Sequence, residues 1–386
     1  MNLMLDRCQV VQGISELPKV ISQRPASKVH LAYDSDLHSH PELSNCRQLL
    51  AADGTAIVRS VPVRKPSTLE DAGQLAEQLE GADSIVAFGG GSLLDSVKLA
   101  CALMDPLTRR IISLPQRSGW FHGPDRPRGP RLIAIPTTIG TTSEVSQVSV
   151  YVKDGQKRAI SSPSLQPDVA ILDAQATDGM PLEMMLEGCL EIILRCIGPV
   201  IGSAGPLIQN DRDALAIAQN VAERLCRIRR SGHATAEDRI RLAEHSIETR
   251  DPRLLHGRAP FSVKAWFIGN NLSQHKGVRK MRALANLIPA YWNHLPQTDG
   301  ADSAERAASA WASICERLPA GFSANPAEGF NQWLDWLEIQ PAPRLDESDI
   351  RTIAESCMQM WGSGLPMLAR VDAETVRNML RMVRMD

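Results

Sequence analysis

The sequence predicts an α/β domain followed by an all-α domain, and two observations carry that prediction. Residues 28–173 alternate short apolar runs with stretches of helical spacing, the pattern of a parallel sheet covered by helices. After PDVAILD the β signals stop, and from about residue 180 to the end the apolar spacing is helical. The boundary is expected near residues 178–181, giving domains 1–178 and 179–386. At 386 residues the chain is long enough for two substantial cores.

The elements follow in order. KVHLAY, TAIVRSV, SIVAF and RLIAIP read as strands, and PELSNCRQLLAA, TLEDAGQLAEQL and LLDSVKLACALM as the helices between them. In the last helix Leu94, Val97, Cys101 and Leu103 fall near one face. QRSGWFHGPDRPRGPR is dense in Gly and Pro and reads as a surface loop before RLIAIP. Later, MPLEMMLEGCLEIILRCI, RDALAIAQNVAERLCRI, KMRALANLIPAYWNHL and EGFNQWLDWLEI are helices. No internal repeat or low-complexity tract interrupts them.

Composition narrows the function. Basic and acidic residues nearly balance, 42 against 44, with no long block of like charge, so nucleic acid is not an expected partner. No run of about 18 apolar residues is present, so no membrane partner is expected either. MNLMLDRCQVVQG carries Asp6 and Arg7 where a signal peptide needs its apolar centre; a cytoplasmic location is the expectation. Eight scattered cysteines without a CxxC pair read as buried thiols in a reducing compartment.

Two stretches carry candidate chemistry. In SIVAFGGGSLLDSVK a strand runs into Gly89, Gly90 and Gly91 and then into a helix. Glycines there let backbone approach an oxygen-rich group, which the unpaired N–H groups and the positive end of the helix dipole favour. By physics this is a diphosphate site, although three glycines also serve as a tight strand-to-helix connection. Ser92 and Asp95 add polar groups at the turn. The second stretch, IAIPTTIGTTSEVS, ends a strand at Pro136 and continues in hydroxyls, Thr137, Thr138, Thr141, Thr142 and Ser143, suited to bonding ribose and amide groups. An ordinary polar loop is the alternative.

Together GGGSLLDSVK and PTTIGTTSEVS resemble GGGSxxDxAK and PTTAGTGSEVT of the iron-containing alcohol dehydrogenase and dehydroquinate synthase-like superfamily. QVVQGISELPKV, VHLAYDSDL, KRAISSPSLQPDVAILDAQAT and PAPRLDESDIRTIAESC resemble further landmarks of that family in family order. The resemblance implies an N-terminal Rossmann-like parallel-sheet domain, a C-terminal helical domain and an active site between them. It implies NAD as cofactor. Gly89, Gly90, Gly91, Ser92 and Asp95 would hold the diphosphate and its surroundings, Thr137 and Thr138 would face the nicotinamide side, and Lys157 would approach the nicotinamide ribose. Asp34 would bond the adenosine ribose and disfavour a 2′-phosphate. Thr142 belongs to the cofactor loop but stands where the family prefers glycine. Dimers are common in the superfamily, so a homodimer, or a heterodimer with a paralogue, is the expected assembly.

The same resemblance implies a divalent metal held by an acid and histidines, whose role is to stabilise an alkoxide as hydride leaves. EGCLEIILR resembles the synthase-type GxxEhhK, making Glu191 the candidate carboxylate. Leu194 replaces the lysine of that motif, and Val150 stands near another expected synthase lysine, so a synthase-type lyase is disfavoured. The HxxGH or HxxxH stretch corresponds to WFIGN, with Trp266 and Asn270 at the histidine positions. GxPHGxANALLLP corresponds to GVRKMRALANLIP, with Lys280 in place of the last histidine. Tryptophan offers only an N–H donor and lysine is a cation, so no metal ligation is expected from either. A shifted register would bring in His275 or His256.

Lys280 is therefore the candidate acid, base or oxyanion donor, with Glu191 as its ion-pair partner. The expected function is a metal-independent, NAD-dependent oxidoreductase interconverting a hydroxyl and a carbonyl on a small-molecule or peptide substrate, in a biosynthetic tailoring step. The alternative is a non-catalytic homologue that serves as partner or regulatory subunit of a related active dehydrogenase, with Lys280 and Glu191 filling a dead site. His38 and His40 read as loop histidines, Trp333 and Trp336 as core or interface, and RLCRIRR as a solvated helix end.

Overall fold

The computed structural model describes residues 3–5, 7–24, 28–52, 57–64, 68–126, 129–203, 206–259 and 261–386, with backbone alone for 3–5, 57 and 58. Residues 55–56 of the expected strand TAIVRSV, 127–128 of the expected loop and Asp6 lie outside the described residues. The chain divides into two compact units, Met1–Pro181 with Thr235–Arg250, and Leu182–Ala234 with Asp251–Asp386.

Among the described residues the first unit holds ten strands: β1 (Leu3–Leu5), β2 (Cys8–Gln12), β3 (Val29–Asp34), β4 (Ile57–Val63), β5 (Ser84–Gly89), β6 (Trp120–His122), β7 (Arg131–Pro136), β8 (Val148–Lys153), β9 (Gln156–Ser161) and β10 (Val169–Leu172). Its first helices are α1 (Leu17–Ser22), α2 (Pro41–Ala52), α3 (Leu69–Leu79), α4 (Gly91–Leu103) and α5 (Pro106–Ser113). Seven strands form one sheet in the order β1-β2-β10-β7-β5-β3-β4, parallel except for β1. Successive side chains of β3, β5, β7 and β10 point to opposite faces, and both faces are covered. Ala32, Ile85, Ala87, Leu132 and Ala134 pack on one side, with α3 and α4, while Leu31, Tyr33, Val86, Phe88, Ile133 and Ile135 pack on the other. Burial on both faces explains why these strands read as continuous apolar runs.

The order of the strands creates a crevice. From β3 the chain moves outward to β4, whereas from β5 it moves the other way to β7, so the connections diverge between β3 and β5. In open α/β sheets ligands sit outside the carboxyl ends of strands at such a point. Here those ends are Asp34 and Gly89.

Three features differ from the sequence reading. The expected surface loop contains β6, which pairs with β9 in a separate three-stranded sheet, β6-β9-β8. The helix α4 is not one-faced: Leu93, Ser96, Lys98, Leu99 and Ala100 are buried together with the expected Leu94, Val97, Cys101 and Leu103. A helix from the later half, α8 (Ala236–Glu248), following α6 (Leu182–Ile201) and α7 (Gln209–Ser231), belongs with the first unit. Its Ala243 and Ile247 pack against Cys8, Val10, Val145, Ala170 and Leu172, and Arg239 donates to the Ala174 carbonyl at 2.8 Å.

The second unit, among the described residues, is helical: α6 and α7, then α9 (Pro252–Leu255), α10 (Lys264–Lys276), α11 (Lys280–Asn293), α12 (Leu295–Thr298), α13 (Asp302–Cys315), α14 (Pro326–Trp336), α15 (Glu347–Trp361) and α16 (Ala373–Arg381). Trp333 is buried in an aromatic cluster with Trp311 and Phe330. The RLCRIRR segment is only half a solvated end, because Leu225, Cys226 and Ile228 are buried while Arg230 lies 5.8 Å from the centre of the Trp336 ring. None of the eight cysteines is in a disulfide, and seven are buried. No helix of the described residues is long and apolar enough to cross a membrane.

Candidate functional site

Two groups of residues, one in each unit, carry the chemistry. In the first, β5 delivers the chain to Gly90, which caps α4 with φ −75° and ψ 175° and no side chain bonding the helix start. The first-turn N–H groups therefore meet no side-chain acceptor, as an anion site requires. The glycines are needed for space rather than for an unusual φ. A Cβ on Gly89 would meet Leu93 Cδ2 at 2.7 Å and Asp34 Cβ at 3.2 Å, one on Gly90 would meet Thr138 Cγ2 at 3.1 Å, and one on Gly91 would lie within 2.8 Å of Thr141 Oγ1, Cβ and Cγ2. The hydroxyl loop is thus seated directly on the glycine turn, and Thr137 N donates to the Gly89 carbonyl at 3.1 Å.

Asp34, buried at the end of β3, accepts from Asp36 N at 3.2 Å. Nearby, Tyr33 Oη and His38 Nδ1 are 3.0 Å apart, and His40 Nδ1 accepts from Glu42 N at 3.2 Å, so both expected loop histidines have structural bonds. Ser92 Oγ has no bond in common with this group, but its carbonyl accepts from Ser96 Oγ at 2.7 Å. Asp95 is committed elsewhere: it accepts from Ser143 Oγ, from Val150 N at 3.0 Å and from Lys98 Nζ at 2.9 Å. Lys98 is fully buried and also donates to the carbonyls of Ser143 (3.2 Å), Ser146 (3.3 Å) and Val148 (2.5 Å). Burial draws its ammonium below the usual lysine range, against the pull of Asp95. Asp95 and Lys98 thus fasten α4 to the hydroxyl loop. Lys157, half-buried, is the second residue of β9, opposite Val152 near the hairpin end.

Thr142 departs furthest from expectation. It is fully buried at φ +59°, the left-handed region that a β-branched residue rarely adopts, at a cost of about 1–2 kcal/mol. Its Oγ1 donates to the Thr141 carbonyl at 2.6 Å and accepts from Arg250 Nε at 2.7 Å. Neither the φ nor the role of Arg250 was foreseen; the family's glycine at this position was the available signal.

In the second unit, Glu183, Glu187, Glu191 and Arg195 recur every four residues on α6 and so form one stripe. α10 and α11 approach closely, since a Cβ on Gly269 would lie 3.2 Å from Leu284 Cα, and the long side chains of Trp266 and Lys280 meet beside the stripe. Glu191 Oε1 accepts from Lys280 Nζ at 2.5 Å and from Arg195 Nη2 at 2.6 Å. The indole of Trp266 has the Lys280 ammonium 5.5 Å and the Arg195 guanidinium 6.0 Å from its ring centre. The carboxylate side chain is 4% exposed, Lys280 30% and Arg195 15%.

Arg279 caps the same end of α11 and binds Glu187 through Nε (2.8 Å) and Nη2 (3.0 Å), with Glu183 at 2.6 Å. Those bonds raise its already high proton affinity, whereas burial pushes the Glu187 carboxyl up in spite of Arg279. A helix N-terminus disfavours cations, and the α6 carboxylates offset that at both residues.

A divalent ion does not suit these donors. Glu191 Oε1 already accepts from two cations, and Trp266 has no lone pair to give. Asn270, half-buried, stands one turn beyond Trp266 on α10. His275 is bonded to Asp349 at 2.6 Å, and His256 ends α9, so neither joins Glu191. Among the described residues no three His, Cys, Asp or Glu side chains gather as a metal site.

A parallel sheet with a glycine-led helix at its switch point, followed by a helical unit, is an α/β architecture of the Rossmann-like kind. Residues 9–174 match the family model for iron-containing alcohol dehydrogenase. That match lies wholly within the first unit and covers less than half of the chain. A probable alcohol dehydrogenase, EutG, of Salmonella typhimurium is 37% identical over 162 residues, 41% of this chain and 40% of the relative's own length. NADH-dependent butanol dehydrogenase A of Thermotoga maritima has the same fold, with a TM-score of 0.80 over 99% of this chain and 98% of that one at 18% identity. Sulfoacetaldehyde reductase of Bifidobacterium kashiwanohense, solved with NAD+, gives a TM-score of 0.73 over 97% and 96% at 18% identity.

Proposed function

We propose that the protein is an NAD(H)-linked oxidoreductase that interconverts a hydroxyl and a carbonyl group on a small molecule, with Lys280 and Arg195 in place of a catalytic metal. The observation that carries the reading is the pairing of one buried carboxylate, Glu191, with two cations, among residues that the sequence resemblance aligns with the family's ion site. Lys280 and Arg195 exceed Glu191 by one positive charge, and Glu183 and Glu187 exceed Arg279 by one negative charge further along the same stripe. The Lys280 ammonium suits a substrate oxygen that gains negative charge, which fixed donors stabilise.

The cofactor assignment is supported by the uncapped start of α4, by glycines that leave no room for a Cβ, and by Asp34 at the switch point. It is supported too by relatives named as NADH-dependent or solved with NAD+. When bound, the nicotinamide supplies or accepts the hydride. Gly89, Gly90 and Gly91 admit the diphosphate to the α4 N–H groups, and Ser92 adds a hydroxyl there. Thr137 and Thr138 line the turn, Lys157 serves the ribose, and Asp34 accepts from the adenosine ribose and repels a 2′-phosphate. In the other unit, Lys280 donates a hydrogen bond to the substrate oxygen while Glu191 holds the ammonium in place. A cytoplasmic dimer acting in a biosynthetic tailoring step is part of the same reading.

A second reading rests on the same geometry. Both cations are engaged by one oxygen, Oε1, so the cluster also serves as a plug in a non-catalytic subunit. NADH oxidation with a panel of short aldehydes, before and after EDTA, separates the readings. Turnover unchanged by EDTA, with metal well below one per chain, is expected. Turnover lost to EDTA and restored by one divalent ion overturns the metal-independent reading, and NADH binding without turnover selects the plug.

A further inference from the structure

We infer that Arg250 is a positioning residue for the cofactor loop: it clamps Thr142 in a backbone conformation that would otherwise call for glycine, and through it sets Thr141 on the glycine turn. The inference rests on the reading of that turn as the NAD seat.

The loop is held from two sides. On one side α4 fixes its later part, through Asp95 to Ser143 Oγ and through Lys98 to the carbonyls of Ser143, Ser146 and Val148. Within residues 140–142 the loop carries its own turn bonds, Val145 N to the Thr142 carbonyl at 3.2 Å and Ser143 N to Thr141 Oγ1 at 3.5 Å. Gly140 at φ +100° and Thr142 at φ +59° make two left-handed steps there, the second at a cost for a branched side chain. On the other side Arg250 Nε reaches Thr142 Oγ1 at 2.7 Å.

Arg250 can do this because α8 is anchored in the first unit. Ile247 and Ala243 pack on Val145, just beyond the loop, and Arg239 bonds the Ala174 carbonyl at 2.8 Å and Asp178 at 2.7 Å. The Arg250 N–H in turn bonds the Ile247 carbonyl at 2.8 Å, closing the end of the helix. One residue before Thr142, the Thr141 side chain fills the space over Gly91 where a Cβ would collide. A change of φ at Thr142 turns the preceding peptide, so it moves Thr141 relative to the first N–H groups of α4. A branched residue where the family uses glycine is therefore matched here by a dedicated donor.

The test is a double-mutant cycle on the full chain, R250M in the native background and R250M in T142G, read by NADH fluorescence titration with folding checked by circular dichroism. Glycine needs no clamp at positive φ. R250M is expected to weaken NADH binding about tenfold in the native background and less than about twofold when residue 142 is glycine, with R250K intermediate in the native background. Equal weakening in both backgrounds, or none in the native one, overturns the inference. Should the native chain bind no NADH, the cofactor reading fails, and the cycle is read by thermal midpoint: a loss on R250M confined to the Thr142 background sustains the clamp, and equal losses overturn it.

Discussion

Replacing Lys280 by methionine removes the ammonium but keeps most of the stem. At 2.5 Å, two unit charges attract by about 6 kcal/mol at an effective dielectric constant of about 20. Taking a carboxylate that is 4% exposed out of water costs several kcal/mol, which cancels most of that attraction. What remains is the increment of one charge-assisted hydrogen bond, about 1.5–3 kcal/mol, and the lower end applies because Lys280 is 30% exposed. Glu191 is not stranded in K280M, since Arg195 still donates at 2.6 Å.

The assay is a four-member cycle, native, K280M, E191Q and the double variant, by scanning calorimetry, with the transition of the helical unit followed. The expected coupling is about 1–2 kcal/mol, and for a unit of this size each kcal/mol moves the midpoint by about 2–4 °C. The double variant should therefore be more stable than the sum of the single losses. EDTA should leave all four midpoints unchanged. Additivity within about 0.5 kcal/mol would refute the pairing, and a midpoint lowered by EDTA in the native protein alone would refute the claim that these donors reject a metal.

Two further outcomes follow from the geometry. G91A puts a Cβ within 2.8 Å of three Thr141 atoms, so NADH affinity should fall at least tenfold, measured by fluorescence titration, with helix content kept in circular dichroism. Asp349 bonds His275 at 2.6 Å and Lys276 at 3.0 Å, and those bonds hold its carboxyl at about 2, below the ordinary 3.8. A depressed carboxyl adds stability that is full above 3.8 and vanishes as pH falls through 2, so D349N should cost about 1 kcal/mol at pH 6, after allowing for solvent screening, and nothing near pH 2 in thermal melts.

The sheet was legible because its central strands are buried on both faces. A strand with two apolar sides has no polar alternation to blur it, and VHLAYD, SIVAFG and RLIAIP stand out for that reason. The small second sheet was not legible for the complementary reason. WFH is only three residues long and lies among glycines and prolines, and its partner QKRAIS is half-buried over three positions before it turns buried. Helical periodicity announces a buried stripe but not what the stripe meets, so nothing in AEDRIRLAEHSIE assigns it to the first unit.

The same distinction separates what was readable in the two candidate sites. Gly89, Gly90 and Gly91 were legible as a close approach of backbone, but the sequence does not say that Thr138 and Thr141 do the approaching. Asp95 looked like a phosphate neighbour and is instead spent on Ser143, Val150 and Lys98, because a fully buried lysine one turn along needs a carboxylate and three carbonyls to remain there. Lys280 and Glu191 were legible as a pair only through the family register, which places two distant segments in one pocket. Arg195 was missed although it stands four residues after Glu191 on a recognised helix, the spacing at which opposite charges meet. Its presence changes the chemistry of the cluster. A lysine and a glutamate alone would cancel, whereas the second cation shares Glu191 Oε1 and leaves the Lys280 ammonium less fully neutralised, which is what the proposed oxyanion role of Lys280 requires.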